Sequence, residues 1–273
     1  MYVSLDKGIY LPTLSRTTTV RSECASTLQH AASITQLDAT NSSDISILRI
    51  IIILSFCPLD QSNNKISNHE CYAYNGGCVI AMKGKDCVAI ATDKRFGVQG
   101  KTMSTKFQRV FQFGPRLFAG FPGLGTDTKT VFQRLRFRVN MYELRENRRI
   151  RPKTLASLIS SFLYERRFGP YFIEPVIAGI DEKTGEPFID SQDILGCGCD
   201  AEDFVAVGTC QEQLYGMCET LWEPNLGPDE LFEICAQALM NACDRDAISG
   251  WGATVYIIEK DAVTIKEVKT RMD

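Results

Sequence analysis

The sequence of 273 residues predicts an α+β protein, a four-layer αββα sandwich in which two antiparallel sheets pack face to face and a helix pair covers each outer face. The expected elements come as strands, two helices, strands, two helices and strands, whereas a doubly wound parallel sheet would alternate single strands with single helices. In addition, Val79–Met82 and Val88–Ala91 are apolar on both faces and therefore need cover on both sides.

The first predicted elements form a hairpin. Two apolar segments, Gly77–Met82 and Cys87–Thr92, are joined by the polar residues 83–86. This pattern is typical of two antiparallel strands and the turn between them. A third strand is expected at Arg116–Phe121.

Two helices follow these strands. The first runs from Thr126 or Asp127, either of which can cap it, to about Asn147, and it has an apolar stripe at positions 131, 135 and 139. The second begins at Pro152 and ends before residues 169–170, Gly-Pro. Its apolar residues follow helical spacing and are Leu155, Leu158, Ile159, Phe162 and Leu163.

The second half of the chain repeats this order. Strands are predicted over residues 172–180, 187–190 and 204–207. The next helix carries an apolar face that breaks before Pro224, and another helix starts near Pro228. A hairpin over residues 253–258 and 263–268 completes the predicted fold.

Composition excludes several kinds of chemistry. The formal net charge of -3 gives no reason to expect nucleic acid or an anionic membrane as a partner. Both histidines, His30 and His69, precede residue 71, so a Ser-His-Asp or Cys-His mechanism and a His-containing zinc site are excluded from the patterned region. The segment 197–199, Cys-Gly-Cys, lacks the spacing of a zinc knuckle.

The eleven cysteines favour free thiols over a disulfide framework. Their number is odd, no CxxC motif occurs, and several lie within apolar strand or helix patterns. We therefore expect reduced, mostly buried thiols in an intracellular protein.

Residues 1–70 differ in kind from residues 71–273, which we interpret as the folded domain. They are rich in Ser, Thr, Asn and Asp, and their one apolar run, Ile50–Phe56, is far shorter than the ~20 residues that a membrane span requires. That run also lies too far along the chain for a secretory signal. We predict a disordered or weakly structured extension; the alternatives are an unusual pro-segment or a segment that the mature protein lacks.

Several long segments resemble the proteasome β-type subunits. They are YNGGCVIAMKGKDCVAIATDKRFGVQ, RLRFRVNMYELRE, LYERRFGPYFIEPVIAG, YGMCETLWEPN and NACDRDAISG. The likeness extends over about residues 71–273 and implies the N-terminal-nucleophile hydrolase fold. That fold is an αββα sandwich, in agreement with the element order.

The resemblance also places the residues of an active site. Active members of the family use an N-terminal threonine, exposed by self-cleavage after a glycine, with a lysine that lowers its pKa and an aspartate that orients the lysine. The position of the threonine is Gly77 here, the aspartate is kept as Asp93, and the lysine becomes Arg109.

A serine and an aspartate from later loops complete the proton path in active members. The late pair resembles Asp246 and Ser249, and the earlier loop serine becomes Thr209. Because Gly77 has no side-chain oxygen, we predict a degenerate site without a catalytic residue. Arg109 cannot accept a proton as a lysine amine can, so we expect a structural ion pair between it and Asp93.

One alternative enzyme remains, a self-processing hydrolase that uses Cys78 as its nucleophile. Cys78 also follows a glycine, but it lies 15 residues before Asp93 where the family pattern has 16. A slip of one residue along a strand turns the side chain to the opposite face, which favours a buried thiol instead.

The resemblance implies a non-catalytic structural β subunit of the 20S proteasome core particle, in the cytoplasm and nucleus, without a cofactor. Its expected neighbours are β2-type and β4-type subunits, α-ring subunits and the opposite β ring.

Two other interpretations stay open. One is a free-standing binding module that uses the aromatic residues of Phe168–Phe172 and Trp222; the other is an α-type subunit, although residues 1–70 show no counterpart of the N-terminal helix.

Overall fold

The computed structural model describes residues 71 and 73–272. In chain order, the first elements are β1 (Cys78–Lys83), β2 (Cys87–Asp93), β3 (Phe96–Val98), β4 (Lys101–Ser104), β5 (Val110–Gly114), β6 (Leu117–Gly120), α1 (Gly125–Glu146) and α2 (Pro152–Tyr164). They are followed by β7 (Val176–Ile180), β8 (Pro187–Gln192), β9 (Gly198–Asp200), β10 (Phe204–Gly208), α3 (Gln211–Leu221), α4 (Pro228–Cys243), β11 (Ala253–Glu259) and β12 (Val263–Val268).

The strands form two five-stranded antiparallel sheets and one small hairpin. The first sheet has the order β10-β1-β2-β11-β12, and the second has the order β5-β6-β7-β8-β9. Strands β3 and β4 pair only with each other among the described residues. This arrangement confirms the antiparallel α+β prediction.

Three separate hydrophobic cores define the four layers. Side chains of β1 alternate between two of them: Ile80 and Met82 pack with α3 and α4, whereas Val79 and Ala81 face the second sheet. Alternation of this kind follows from the two-residue period of a strand. The apolar character of β1 on both faces is thereby explained, because each face is buried by a different layer.

The third core lies between the second sheet and the helices α1 and α2. Leu135 of α1 and Leu155 and Ile159 of α2 are fully buried there against Phe121 and Ile177. The helical stripes predicted from the sequence are therefore the surfaces that α1 and α2 bury. The predicted sandwich is confirmed layer by layer.

The predicted cap of α1 was wrong. The helix begins at Gly125, and neither Thr126 nor Asp127 caps it with a side chain. Instead, the Asp127 carboxylate accepts a hydrogen bond from the backbone N–H of Phe172 at 2.9 Å. The N–H of Gly125 donates to Oδ1 of Asn75 at 2.8 Å, so a residue from before β1 satisfies the start of the helix.

Several short strands were missed or drawn too long. The strand predicted over 172–180 begins at Val176, since Ile173 forms only an isolated bridge with Gly123. Strands β3, β4, β5 and β9 were not predicted. Each has only three to five residues. β4 and β9 are also exposed throughout, so these two lack the apolar alternation by which a strand is recognised.

The weakly structured extension and the apolar run at 50–56 lie outside the described residues, and they stay predictions. Within the described part of the chain, no helix has both the length and the apolar character that a membrane crossing requires.

Candidate active site

The residues that the sequence singled out meet at one end of the sandwich. Gly77 directly precedes β1, Asp93 ends β2, and Thr209 follows β10. Since β1 lies between β2 and β10 in the sheet, these three positions are neighbours. Arg109 precedes the edge strand β5 of the second sheet, and the loop 246–250 joins α4 to β11.

Asp93 and Arg109 form a fully buried ion pair. Nη1 of Arg109 lies 3.2 Å from Oδ1 of Asp93, and the side chains are 1% and 0% exposed. The Asp93 carboxylate also accepts hydrogen bonds from the backbone N–H groups of Cys78 at 3.0 Å and Gly250 at 3.2 Å. Burial raises the pKa of Asp93 to about 6, and the Arg109 guanidinium and these N–H groups act in the opposite direction. The carboxylate is therefore ionised at neutral pH, and its charge is matched.

The guanidinium of Arg109 fills the space that a side chain at position 77 would occupy. A Cβ atom built on Gly77 would lie 2.2 Å from Cζ of Arg109, well inside van der Waals contact. Gly77 has a φ of 104°, a conformation that L residues with a side chain rarely adopt. Nη2 of Arg109 donates to the carbonyl oxygen of Gly76 at 2.9 Å, which fixes the guanidinium in place.

Thr209 and Asp246 hold the backbone of Gly77. The Gly77 N–H donates to Oγ1 of Thr209 at 3.3 Å, and the Thr209 hydroxyl donates to Oδ2 of Asp246 at 2.6 Å. The N–H of Thr209 donates in return to the carbonyl oxygen of Gly77 at 3.2 Å. Thr209 and Asp246, which the resemblance aligns with proton-path residues, thus form a chain of hydrogen bonds to the backbone of Gly77.

Ser249 lies beside a half-open cleft of about 420 Å³, whose lining also includes Cys243, Asp246, Gly250 and Trp251. Its hydroxyl oxygen is buried and has no hydrogen-bond partner within the part of the chain that the structure describes. The Ser249 side chain therefore lies in the same region, but it takes no part in the hydrogen bonds that link Asp246, Thr209 and Gly77.

The Cys78 thiol belongs to a different set of contacts from the ion pair. It is buried in the core with α3 and α4, where its sulfur and those of Cys210 and Cys243 all lie within 4.8 Å of one another. Hydrogen bonds with Cys210 and Cys243, together with burial, raise the pKa of Cys78 well above its usual value. A thiol with a raised pKa is a poor nucleophile, since the thiolate is the attacking species.

The cysteine cluster was missed in the sequence because its members are far apart along the chain. Cys78 and Cys243 are separated by 165 residues, and their sulfurs are 3.8 Å apart. The nine described cysteines are free thiols, and six of them are buried. Each cluster member was recognisable only as one apolar position in a strand or helix pattern.

Arg95 and Asn75 are two further residues near the site that the sequence did not predict. The buried Arg95 side chain donates to the carbonyl oxygens of Gln99 at 2.8 Å and Ile248 at 3.0 Å, which ties the β3–β4 hairpin to the 246–250 loop. Nδ2 of Asn75 donates to the carbonyl oxygen of Gly97 at 2.8 Å. Arg95 reaches Ile248, and Asn75 reaches Gly97 and Gly125, through backbone groups that are distant in sequence, for which no local motif exists.

The structure has two antiparallel sheets between two helix pairs, and the start of β1, the end of β2 and the loop 246–250 meet at one end. This arrangement defines the N-terminal-nucleophile hydrolase fold. Within that class, the chain belongs to the proteasome subunit family, whose model matches residues 73–258. The family membership that the sequence segments indicated is thus confirmed.

Comparison with individual proteins shows which members of the family the chain is similar to. The chain is 66% identical over 201 residues to the proteasome subunit beta type-3 of Drosophila melanogaster, an alignment that covers 74% of this chain and 98% of the fly protein. It is 55% identical over 199 residues to the beta type-3 subunit of Saccharomyces cerevisiae, covering 73% of this chain and 97% of the yeast protein. The beta type-3 subunit of Caenorhabditis elegans is 48% identical over 201 residues, which cover 74% of this chain and 98% of the worm protein. A member of this family is one component of a proteolytic complex and assembles with other proteasome subunits.

Proposed function

We propose that this chain is a non-catalytic, structural β subunit of the 20S proteasome core particle. Its role is to complete the β ring and the wall of the proteolytic chamber for ubiquitin-dependent protein degradation. A ring built from heterologous contacts closes only when every position is filled, so a subunit without activity is still required. The observation that carries the proposal is the Arg109 guanidinium, which stands where a nucleophilic side chain at position 77 would project.

The backbone around position 77 also supports a structural role. The Gly77 N–H donates to Oγ1 of Thr209 at 3.3 Å, so the backbone at this position is held by a residue that follows β10. Immediately before it, Asn75 makes hydrogen bonds to both Gly97 and Gly125. Cleavage before Gly77 or Cys78 would remove these contacts and leave the start of α1 unsatisfied.

The alternative, a self-processing hydrolase that uses Cys78, is disfavoured by the surroundings of the thiol. The Cys78 sulfur is buried in the core under α3 and α4, next to the sulfurs of Cys210 and Cys243. Hydrogen bonds with these two cysteines and burial raise the pKa of Cys78 well above its usual value, so little of the attacking thiolate would be present.

Labelling of the intact complex tests the absence of catalysis. We expect a covalent inhibitor that reacts with terminal threonines to modify other subunits of the purified complex and to leave this chain unmodified, because Gly77 offers no hydroxyl group. Mass spectrometry of each subunit gives both the adduct and the N-terminus. The substitution Cys78→Ala, with Cys235→Ala as a matched buried control, should leave peptide hydrolysis by the complex unchanged. An adduct on this chain, or an N-terminus at Cys78, would refute the proposal.

The partners that we propose are the β2-type and β4-type subunits as ring neighbours, an α-ring subunit, and the opposite β ring, in the cytoplasm and nucleus. The similarity to beta type-3 subunits supports this placement. Native mass spectrometry combined with cross-linking of the endogenous complex tests the neighbours, and imaging of the tagged chain tests the compartments. Cross-links to a different pair of β subunits would contradict the proposed ring position.

An exposed apolar stripe on α1 supports assembly in general. Phe137 and Leu144 are 65% and 79% exposed, and Met141 between them is 48% exposed. They follow the spacing i, i+4, i+7, so they lie on one face of the helix, opposite its buried face. Contiguous exposed apolar residues are typical of a surface that another protein covers. We name these three residues the α1 stripe.

Charged substitutions in the α1 stripe should impair assembly. We expect Phe137→Glu/Leu144→Glu to lower incorporation of the tagged chain into the 20S particle by about tenfold or more, the equivalent of ~1.4 kcal/mol of binding free energy. The free energy of unfolding of the isolated chain should change little, since both side chains are exposed. The matched control Phe137→Leu/Leu144→Met keeps the surface apolar and should incorporate normally. Normal incorporation of the glutamate variant would show that the stripe is not an assembly surface.

A further inference from the structure

Three of the six buried cysteines in the described chain form a compact sulfur cluster beside the candidate active site, which we name the trithiol cluster: Cys78, Cys210 and Cys243. Cys78 is the first residue of β1, Cys210 directly precedes α3, and Cys243 is the last residue of α4. All three sulfurs lie within 4.8 Å of one another, and those of Cys78 and Cys243 are 3.8 Å apart. Three elements of regular structure therefore hold the sulfurs in position.

The dimensions of the trithiol cluster suit a metal ion at its centre. With metal–sulfur bonds of ~2.3 Å, a trigonal arrangement puts the sulfur atoms about 4 Å apart. The separations in the cluster reach this value with only small shifts. The cluster can therefore receive an ion without a rearrangement of β1, α3 or α4.

The donor set favours a soft ion. Among the His, Cys, Asp and Glu side chains of the described chain, the group that could hold an ion here consists of the three cysteines. The nearby Asp93 carboxylate is already engaged by Arg109, Cys78 N–H and Gly250 N–H. Soft thiolate ligands favour Cu(I), whereas a structural zinc site has four ligands and calcium or magnesium requires oxygen ligands.

The surroundings provide both charge compensation and a route of entry. Cys210 occupies the N-cap position of α3, where the helix dipole stabilises a negatively charged sulfur. Cys243 lines the cleft of about 420 Å³ that also contains Asp246 and Ser249. An ion can therefore approach the cluster through this cleft.

We propose that the trithiol cluster is a binding site for a soft, thiophilic metal ion coordinated by three sulfur atoms, with Cu(I) as the ion that fits it best. Binding forms metal–sulfur bonds and releases the thiol protons to solvent, with no change in oxidation state. The site is separate from the proposed role of the chain in ring assembly, and neither depends on the other.

A Cu(I) titration of the full-length chain tests the proposal. The two cysteines before residue 71 and the described cysteines that are not buried are first replaced by serine in one background variant, Cys24→Ser/Cys57→Ser/Cys71→Ser/Cys197→Ser/Cys199→Ser. Under anaerobic, reducing conditions and in competition with a Cu(I) chelator, we expect this background chain to bind one equivalent of Cu(I). X-ray absorption on the loaded chain should show three sulfur neighbours around copper.

Substitutions within the buried core decide which cysteines bind. Adding Cys210→Ser should weaken Cu(I) binding at least tenfold, whereas adding Cys235→Ser, a buried cysteine outside the cluster, should leave it unchanged. Circular dichroism verifies that each variant is folded. If Cys210→Ser does not fold, the sulfur count on the background chain and protection of Cys243 from alkylation by bound Cu(I) decide the question. Unchanged affinity in folded Cys210→Ser, fewer than three sulfur neighbours, or the absence of Cu(I) binding would overturn the proposal.

Discussion

Replacing Arg109 with alanine should destabilise the chain by about 3–5 kcal/mol, because the substitution leaves the Asp93 carboxylate buried without its counter-ion. Asp93 is 0% exposed, and the remaining backbone N–H donors do not supply a positive charge. The loss also removes the hydrogen bond from Arg109 to the carbonyl of Gly76. Urea unfolding of the purified full-length chain measures the change, and incorporation into the 20S particle should fall in parallel.

Two further variants distinguish this effect from a general loss of charge. Arg138→Ala removes an ion pair with Glu165 that has a distance of 2.7 Å but is largely exposed to solvent. It should cost less than about 1 kcal/mol. The double variant Asp93→Asn/Arg109→Met removes both charges and should recover part of the loss in Arg109→Ala. A loss below about 1 kcal/mol in Arg109→Ala would show that the buried pair is not a structural requirement.

Introducing the missing threonine, Gly77→Thr, should destabilise the chain by about 3 kcal/mol or more and should not create a protease. The left-handed conformation at φ 104° is strained for a β-branched residue. The new Cβ atom would also lie 2.2 Å from Cζ of Arg109, so the guanidinium would be displaced from Asp93. Thermal unfolding and peptide hydrolysis by the assembled complex give the two readouts.

The matched control is Gly100→Ala, at a glycine where an added Cβ meets no heavy atom within 4 Å. We expect that variant to stay within about 0.5 kcal/mol of the original chain. The combination Gly77→Thr/Arg109→Lys should lose less unfolding free energy than the sum of its single variants. The unbranched lysine side chain lacks the guanidinium group and so relieves the clash with the new Cβ atom. Additive losses would contradict the direct contact that we infer, and hydrolysis at position 77 would contradict the structural role.

The elements that were predicted well are those with a strong local pattern. The β1–β2 hairpin, α2 and the β11–β12 hairpin lie within a few residues of their expected bounds, because each combines apolar periodicity with a clear turn or a proline start. The expected ion pair between Asp93 and Arg109 also corresponds to a contact in the structure, whereas the contact between Thr209 and Asp246 was not predicted. That expectation came from the resemblance, since nothing local links these positions.

The remaining features depend on contacts between distant residues. The cap of α1 comes from Asn75, which lies 50 residues before Gly125, so the local candidates Thr126 and Asp127 were misleading. The trithiol cluster joins three elements that are remote in sequence. The position of Arg109 over Gly77 is likewise set by the packing of β5 against β1, so no local pattern predicts that the guanidinium takes up that space.

Asn75 also has a consequence for how such a fold could gain or lose activity. In the active family members that the chain resembles, the residues before the nucleophile are discarded during maturation. Here Asn75, which precedes Gly77, hydrogen-bonds to Gly125 at the start of α1 and to Gly97 in the β3–β4 hairpin. A chain that began at position 77 would therefore need a new support for α1 in addition to a reactive hydroxyl, so no single substitution would turn this site into a terminal-threonine nucleophile.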